Sequence, residues 1–153
     1  MENDKIALKL PDWIDAFVQS WSDGLVSTEA KMRFAIELAH QNAAHRTGGP
    51  FGAAVFETET NALTAVGVNL VEPACCSLAH AEVMALALAQ QAVGHYDLGK
   101  ADAAYELVTS TEPCAMCLGA IPWSGVRRVV CGARGEDACA IGFDEGAKPA
   151  DWV

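Results

Sequence analysis

Two short runs of this sequence, His80-Ala81-Glu82 and Pro113-Cys114-Ala115-Met116-Cys117, hold three side chains that bind zinc well and one carboxylate beside them. One imidazole and two thiolates supply three of the four ligands of a tetrahedral zinc. An open fourth position marks a catalytic rather than a structural ion. Glu82 adds what a metal-activated water needs next, a carboxylate that takes a proton and returns it. A lone C-x-x-C also serves structural zinc and dithiol redox chemistry, but the redox use needs a thioredoxin-like context that this chain lacks. Glu82 does not read as half of a capping box, because the partner position is Ala79 rather than Ser or Thr. His40, His45 and His95 are read as surface or helix-end histidines, not ligands.

The spacings say where these groups must sit. Residues i and i+2 of a helix point roughly 200° apart, so His80 and Glu82 converge only at a helix end. Cys114 and Cys117 share a face at i and i+3, and Pro113 before them suits a helix start. Two helix N-termini aimed at one ion bring partial positive charge, which favours the thiolates. A dication with two thiolates is formally neutral, so a water bound to it stays acidic enough to yield hydroxide near neutral pH.

The rest of the chain supplies the frame. Trp13, Ile14, Phe17, Val18 and Trp21 recur at helical spacing and predict an amphipathic helix over 11–21. Ser27-Thr28-Glu29-Ala30 opens a second helix running to about 46, with Met32, Phe34, Ala35, Ile36, Leu38 and Ala39 as its apolar residues, and Thr47-Gly48-Gly49-Pro50 breaks it. Strands are expected over 53–57 and 65–70, as a hairpin turning near Asn61. A helix over 80–96, a strand over 105–109, a helix over 114–123, a strand over 126–131 and a short helix over 137–141 follow. The expected fold is α/β with three α/β/α layers, a mixed central sheet flanked by helices, in one domain over 1–153.

The 52% apolar and 20% charged shares describe a globular chain rather than a disordered one. Ten basic residues against twenty acidic ones, net charge −10, disfavour a nucleic-acid substrate, which calls for clustered Lys and Arg. Met1 to Lys5 begins no secretion signal and the longest central apolar stretch, 83–89, is too short to span a bilayer. Cys75, Cys76, Cys131 and Cys139 are therefore read as reduced, and a cytoplasmic location is expected.

The H-x-E and P-C-x-x-C runs together resemble the cytidine-deaminase-like superfamily of zinc-dependent nucleobase and nucleoside deaminases, a likeness that extends from about residue 31 to the end. It implies one Zn2+ per chain on His80, Cys114 and Cys117. It also implies a hydrolytic deamination in which zinc-bound hydroxide attacks an amidine-like carbon, Glu82 shuttles protons and ammonia leaves. A non-catalytic zinc scaffold would have no use for Glu82, which is not a ligand. The run from Gly49 to Val55 looks like the loop and first strand that floor the superfamily's pocket. Asn69 matches a substrate-binding amide, with a turn-forming role as the alternative. Asn42 resembles another pocket residue, or is a mid-helix Asn facing water. Ala81 is placed with the substrate-binding set. Phe51 and Trp123 either wall the base or pack in the core.

Cys139-Ala140-Ile141-Gly142-Phe143-Asp144-Glu145 looks like the A-x-x-G-F-D-[DE] ending of bacterial-type guanine deaminases. The likeness implies conversion of guanine to xanthine and ammonia, with Glu145 first and Asp144 second accepting from the N1–H and 2-amino donors of guanine; a solvated acidic tail is the alternative. It further implies a tail over 142–153 that closes the active site, with Trp152 near the pocket. A homodimer is implied too, in which the tail acts in cis or is swapped into the partner subunit. A free nucleobase, no nucleic acid and no membrane complete the expected partners. The enzymatic alternatives are a tRNA adenosine deaminase, which would need a basic surface, and a cytosine deaminase. One departure is Cys75-Cys76-Ser77-Leu78-Ala79 in place of the common Asp/Asn-Pro-Thr-Ala.

Overall fold

The computed structural model describes residues 7, 9–21, 24–144 and 146. Helix α1, Ile14–Ser20, precedes α2, Thr28–Ala44, whose first turn is capped by the Ser27 hydroxyl accepting from the Ala30 N–H at 3.1 Å. Strands β1, Gly52–Glu57, and β2, Leu63–Val68, form the expected antiparallel hairpin, with Asn61 at positive φ in the turn. Then come α3, Ala81–Val93; β3, Tyr105–Thr111; α4, Ala115–Ser124; β4, Arg128–Ala133; and α5, Gly135–Ala140. A single 3₁₀ turn over Leu98–Lys100 links α3 to β3.

The sheet order is β2-β1-β3-β4, with β1 antiparallel to both neighbours and β3 parallel to β4. So β2, β3 and β4 run one way and β1 runs against them. The crossover helices α3 and α4 therefore both begin where a parallel-running strand ends, at the same end of the sheet, the usual place for a site in α/β folds.

Alternation along the strands separates two apolar layers. Ala54, Phe56, Val66, Val68 and Val108 face α1 and α2, meeting Ile14, Phe34, Ala35 and Leu38. Ala53, Val55 and Leu107 face the other way, toward Ala81, Ala85 and Ala89 of α3 and Ile121 of α4. The α2 residues that turn inward, Lys31, Phe34, Ala35, Leu38, Ala39 and Asn42, recur at helical spacing, while Ile36 faces solvent. Gly67 sets how closely α3 lies on the sheet: a Cβ there would stand 2.1 Å from the Ala81 carbonyl oxygen, inside the helix's first turn. Any larger residue at Gly67 would push away the end of α3 that carries the H-x-E run.

Candidate active site

His80 is the N-cap of α3, in extended backbone with φ −72° and ψ 155°, and Cys114 is the N-cap of α4 with φ −67° and ψ 171°. Glu82 and Cys117 sit inside the first turns of those helices, so all four groups face the shared ends of the two helices. The Sγ atoms of Cys114 and Cys117 lie 3.6 and 3.7 Å from His80 Nδ1, and the three donor atoms fall within 4.8 Å of one another. Ligands about 2.1 and 2.3 Å from one tetrahedral ion stand about 3.6 Å apart, so the spacing and the donor chemistry both fit zinc.

The electrostatics agree. The Cys114 thiol is pulled down to about 3, first by the hydrogen bond from Cys117, against its own burial, and next by His80. Cys117 moves up, because its proton is held toward Cys114 and because burial and the Glu82 carboxyl both oppose a second negative charge. The neighbouring thiols thus oppose each other's ionisation, and a bound dication would favour both thiolates. Glu82 is buried, with Oε2 3.5 Å from Cys117 Sγ, and Oε1 accepts from Thr109 Oγ1 at 3.4 Å. Burial holds the Glu82 carboxyl above the usual carboxylate range.

A cavity of about 650 Å³ opens onto His80 and Cys114, a size ordinary for small-molecule sites. Gly49, Phe51, Asn69, Glu72, Phe143 and Asp144 also line it. Phe51 and Phe143 meet edge to face, with ring centroids 4.9 Å apart. Asn69 is both a turn residue and a lining residue: its Oδ1 accepts from the Val71 N–H at 3.3 Å.

Three expected contacts fall elsewhere. Asn42 neither faces water nor lines the cavity. It is fully buried, and its Nδ2 donates to the carbonyls of Gly49 and Asn69 at 2.8 and 2.9 Å, while Thr47 Oγ1 donates to its Oδ1 at 2.8 Å. Trp13 Nε1 in turn donates to Thr47 Oγ1 at 3.0 Å, so α1 braces the two loops that floor the cavity. Trp123 is 86% exposed, on the flank of α4 away from buried Cys117 and Ile121, and neither walls the cavity nor packs in the core. Ala81 is buried as the first residue of α3, off the cavity wall. Glu145, Trp152 and the tail beyond Gly146 lie outside the described residues. Sequence reasoning missed Thr109 and Glu72. Thr109 looks like any β-branched strand residue, and nothing in the run Val71-Glu72-Pro73 marks the carboxylate as facing a cavity.

Residues 26–133 match the cytidine and deoxycytidylate deaminase zinc-binding region. The chain is 38% identical over 117 residues to the guanine deaminase of Bacillus subtilis (strain 168), covering 76% of this chain and 71% of that protein. The solved guanine deaminase from Nitrosomonas europaea is 47% identical and superposes with a TM-score of 0.89, over 99% of this chain and 83% of the other. A solved variant of the protein NE0047 in complex with 8-azaguanine is likewise 47% identical, with a TM-score of 0.88 over 97% of this chain and 82% of that one. With the ligand trio, the carboxylate and the mixed sheet all in place, this chain belongs to the zinc-dependent deaminase family defined by the cytidine and deoxycytidylate deaminase zinc-binding region.

Proposed function

We propose that this chain hydrolyses guanine to xanthine and ammonia. The observation that carries the proposal is one cavity whose wall holds His80 and Cys114 together with Phe143 and Asp144 of the A-x-x-G-F-D run, with buried Cys117 and Glu82 in contact with that ligand pair. The similarity to two guanine deaminases supports it.

Zinc, when bound to His80, Cys114 and Cys117, supplies the Lewis acidity that makes a water nucleophilic near neutral pH. Glu82 takes the proton of the attacking water and delivers it to the ring nitrogen beside the reacting carbon. It then carries a second proton to the departing amine. A carboxyl raised by burial suits that task, because it must hold a proton and give it back in one turnover. Phe51 and Phe143 wall a flat base. The Asn69 amide, with Oδ1 engaged by Val71, keeps its NH2 to donate to an acceptor on the purine. Asp144, and Glu145 beyond the described residues, supply acceptors for the adjacent N1–H and 2-amino donors, a pair that adenine and cytosine lack. In this reading the segment 142–153, most of which lies outside the described residues, serves to close the site, from its own chain or the partner's. A cytoplasmic homodimer, which the likeness to guanine deaminases suggests, completes the proposal. Among the described residues, no helix is long and apolar enough to cross a membrane.

Ammonia release across guanine, guanosine, adenine and cytosine tests the reading. Guanine should be turned over fastest, and Glu145→Ala should lower that turnover far more than it lowers the melting temperature. Release from adenine or cytosine with none from guanine would refute it.

A further inference from the structure

The Glu82 carboxyl has a different neighbour on each oxygen. Oε2 faces the metal donors, 3.5 Å from Cys117 Sγ, and Oε1 accepts from Thr109 Oγ1 at 3.4 Å. Thr109 is 1% exposed and lies on β3, an interior strand of the sheet, paired in register with Ala53 on one side and Cys131 on the other. Its backbone is therefore held from both sides. Its β-branched side chain is stiff at χ1, and its face of β3 is the one turned toward α3. A hydroxyl carried on a backbone held in this way is a well-placed donor, whereas three rotatable bonds separate the Glu82 carboxyl from the first turn of α3.

We infer that Thr109 is a positioning residue: its hydroxyl holds Oε1 of Glu82 so that Oε2 is the oxygen presented to the reacting water and the base. A general base must reach its proton at hydrogen-bond distance, and such contacts shorten from their resting length when substrate is bound. Holding one oxygen halves the orientations available to the carboxyl and keeps the loaded proton on the oxygen that faces the substrate. The hydroxyl donates to Oε1, so it favours protonation at Oε2. Thr109 touches neither substrate nor metal in this role. It acts on turnover through Glu82 alone, and rests on Glu82 being the proton carrier.

The test compares Thr109→Val, which keeps shape and loses the hydroxyl, with Thr109→Ser, which keeps the hydroxyl and loses a methyl. Each variant is measured for zinc content, melting temperature, kcat and KM with guanine, beside Glu82→Gln. The expected result for Thr109→Val is a kcat lower by about 10- to 100-fold, the span of a hydrogen bond to a charged group, with KM within about twofold and one zinc per chain. Thr109→Ser should recover most of the rate despite its smaller volume. Should Thr109→Val not accumulate, Thr109→Ala is read against Thr109→Ser in the same way. The inference is overturned if the variant lacking the hydroxyl turns over within twofold of the unmodified enzyme, or if Ser is as impaired as Val or Ala, which is the order a packing role gives. Near-normal turnover by Glu82→Gln would overturn both this inference and the reading of Glu82. A dead Glu82→Gln beside a fully active Thr109→Val would overturn this inference alone.

Discussion

Strand β3 has a buried polar cluster on each of its faces, and the two are built on opposite electrostatic plans. On the α2 face, the Glu106 carboxyl lies between two cations. Lys31 Nζ stands 2.7 Å from Oε1, with both side chains 4% exposed, and Arg128, the cross-strand partner of Glu106 on β4, contacts Oε2. Lys31 also donates to Asn61 Oδ1 at 2.7 Å and lies over the Phe56 ring, 4.9 Å from its centroid. On the α3 face, two thiols, an imidazole and the Glu82 carboxyl crowd together with no Lys or Arg among the contacts described. The first cluster balances its own charges, and the second gathers acids that only a dication can hold deprotonated together. The comparison separates a structural use of buried charge from a catalytic one, since cost in stability and capacity for chemistry go together on one face and not on the other.

The largest expected contrast comes from removing one member of each cluster. Cys117→Ser, or stripping with a strong chelator, should take zinc content and ammonia release to background. Zinc added back should restore the stripped protein but not the variant. Glu106→Leu should do the reverse: it strands two cations, one of them fully buried, and should cost about 3–5 kcal/mol of unfolding free energy. Its kcat per folded molecule should stay within about twofold, because Glu106 points away from the cavity. Urea unfolding beside a zinc-normalised rate assay reads both. A Glu106→Leu protein that folds normally and loses turnover would erase the distinction between the faces.

Asn42→Ala falls between the two. Its side chain is as buried as Lys31, yet its hydrogen bonds end on the carbonyls of Gly49 and Asn69, beside the cavity. Leaving those acceptors unpaired should cost about 1–3 kcal/mol and should also raise KM, since the lining loops lose their brace. An unchanged KM with the full stability loss would place Asn42 wholly with the structural cluster.

The two plans were unequally legible in the sequence. The helix starts at His80 and Cys114 followed from residue spacing, because i/i+2 and i/i+3 pairs converge only at particular places on a helix. The hairpin, the crossovers and the mixed sheet followed from periodicity, with ends shifted by a few residues, as at β4, expected over 126–131 and found at Arg128–Ala133. Contacts between residues distant in sequence were not legible. Lys31 meets Glu106 across 75 positions, and Asn42 meets Asn69 across 27. Hydropathy marks both Lys31 and Glu106 as surface residues, and their burial follows from pairing rather than from residue type. Trp123 errs the other way: its ring suggested a wall for the base or a core residue, but its angular position on α4 put it in solvent.

The smallest expected effect tests whether the α2-face cluster is one unit or two pairs. Arg128 is half exposed, at 52% of its side chain, where Lys31 is shielded from water. Taken alone, Arg128→Gln should cost only about 0.2–1 kcal/mol, the worth of a water-screened ion pair, and less at high salt. Lys31→Met should cost more, since Glu106 then keeps only the partner that water already competes for. In the double variant the Glu106 carboxylate has no cation left. The loss should then exceed the sum of the single losses, because the first removal leaves a partner and the second leaves none. Additive losses would mean two independent pairs, and a double loss smaller than the sum would mean that the Glu106 carboxyl takes up a proton once either cation is gone. In that last case the α2 face would settle its buried acid by binding a proton rather than by pairing charge.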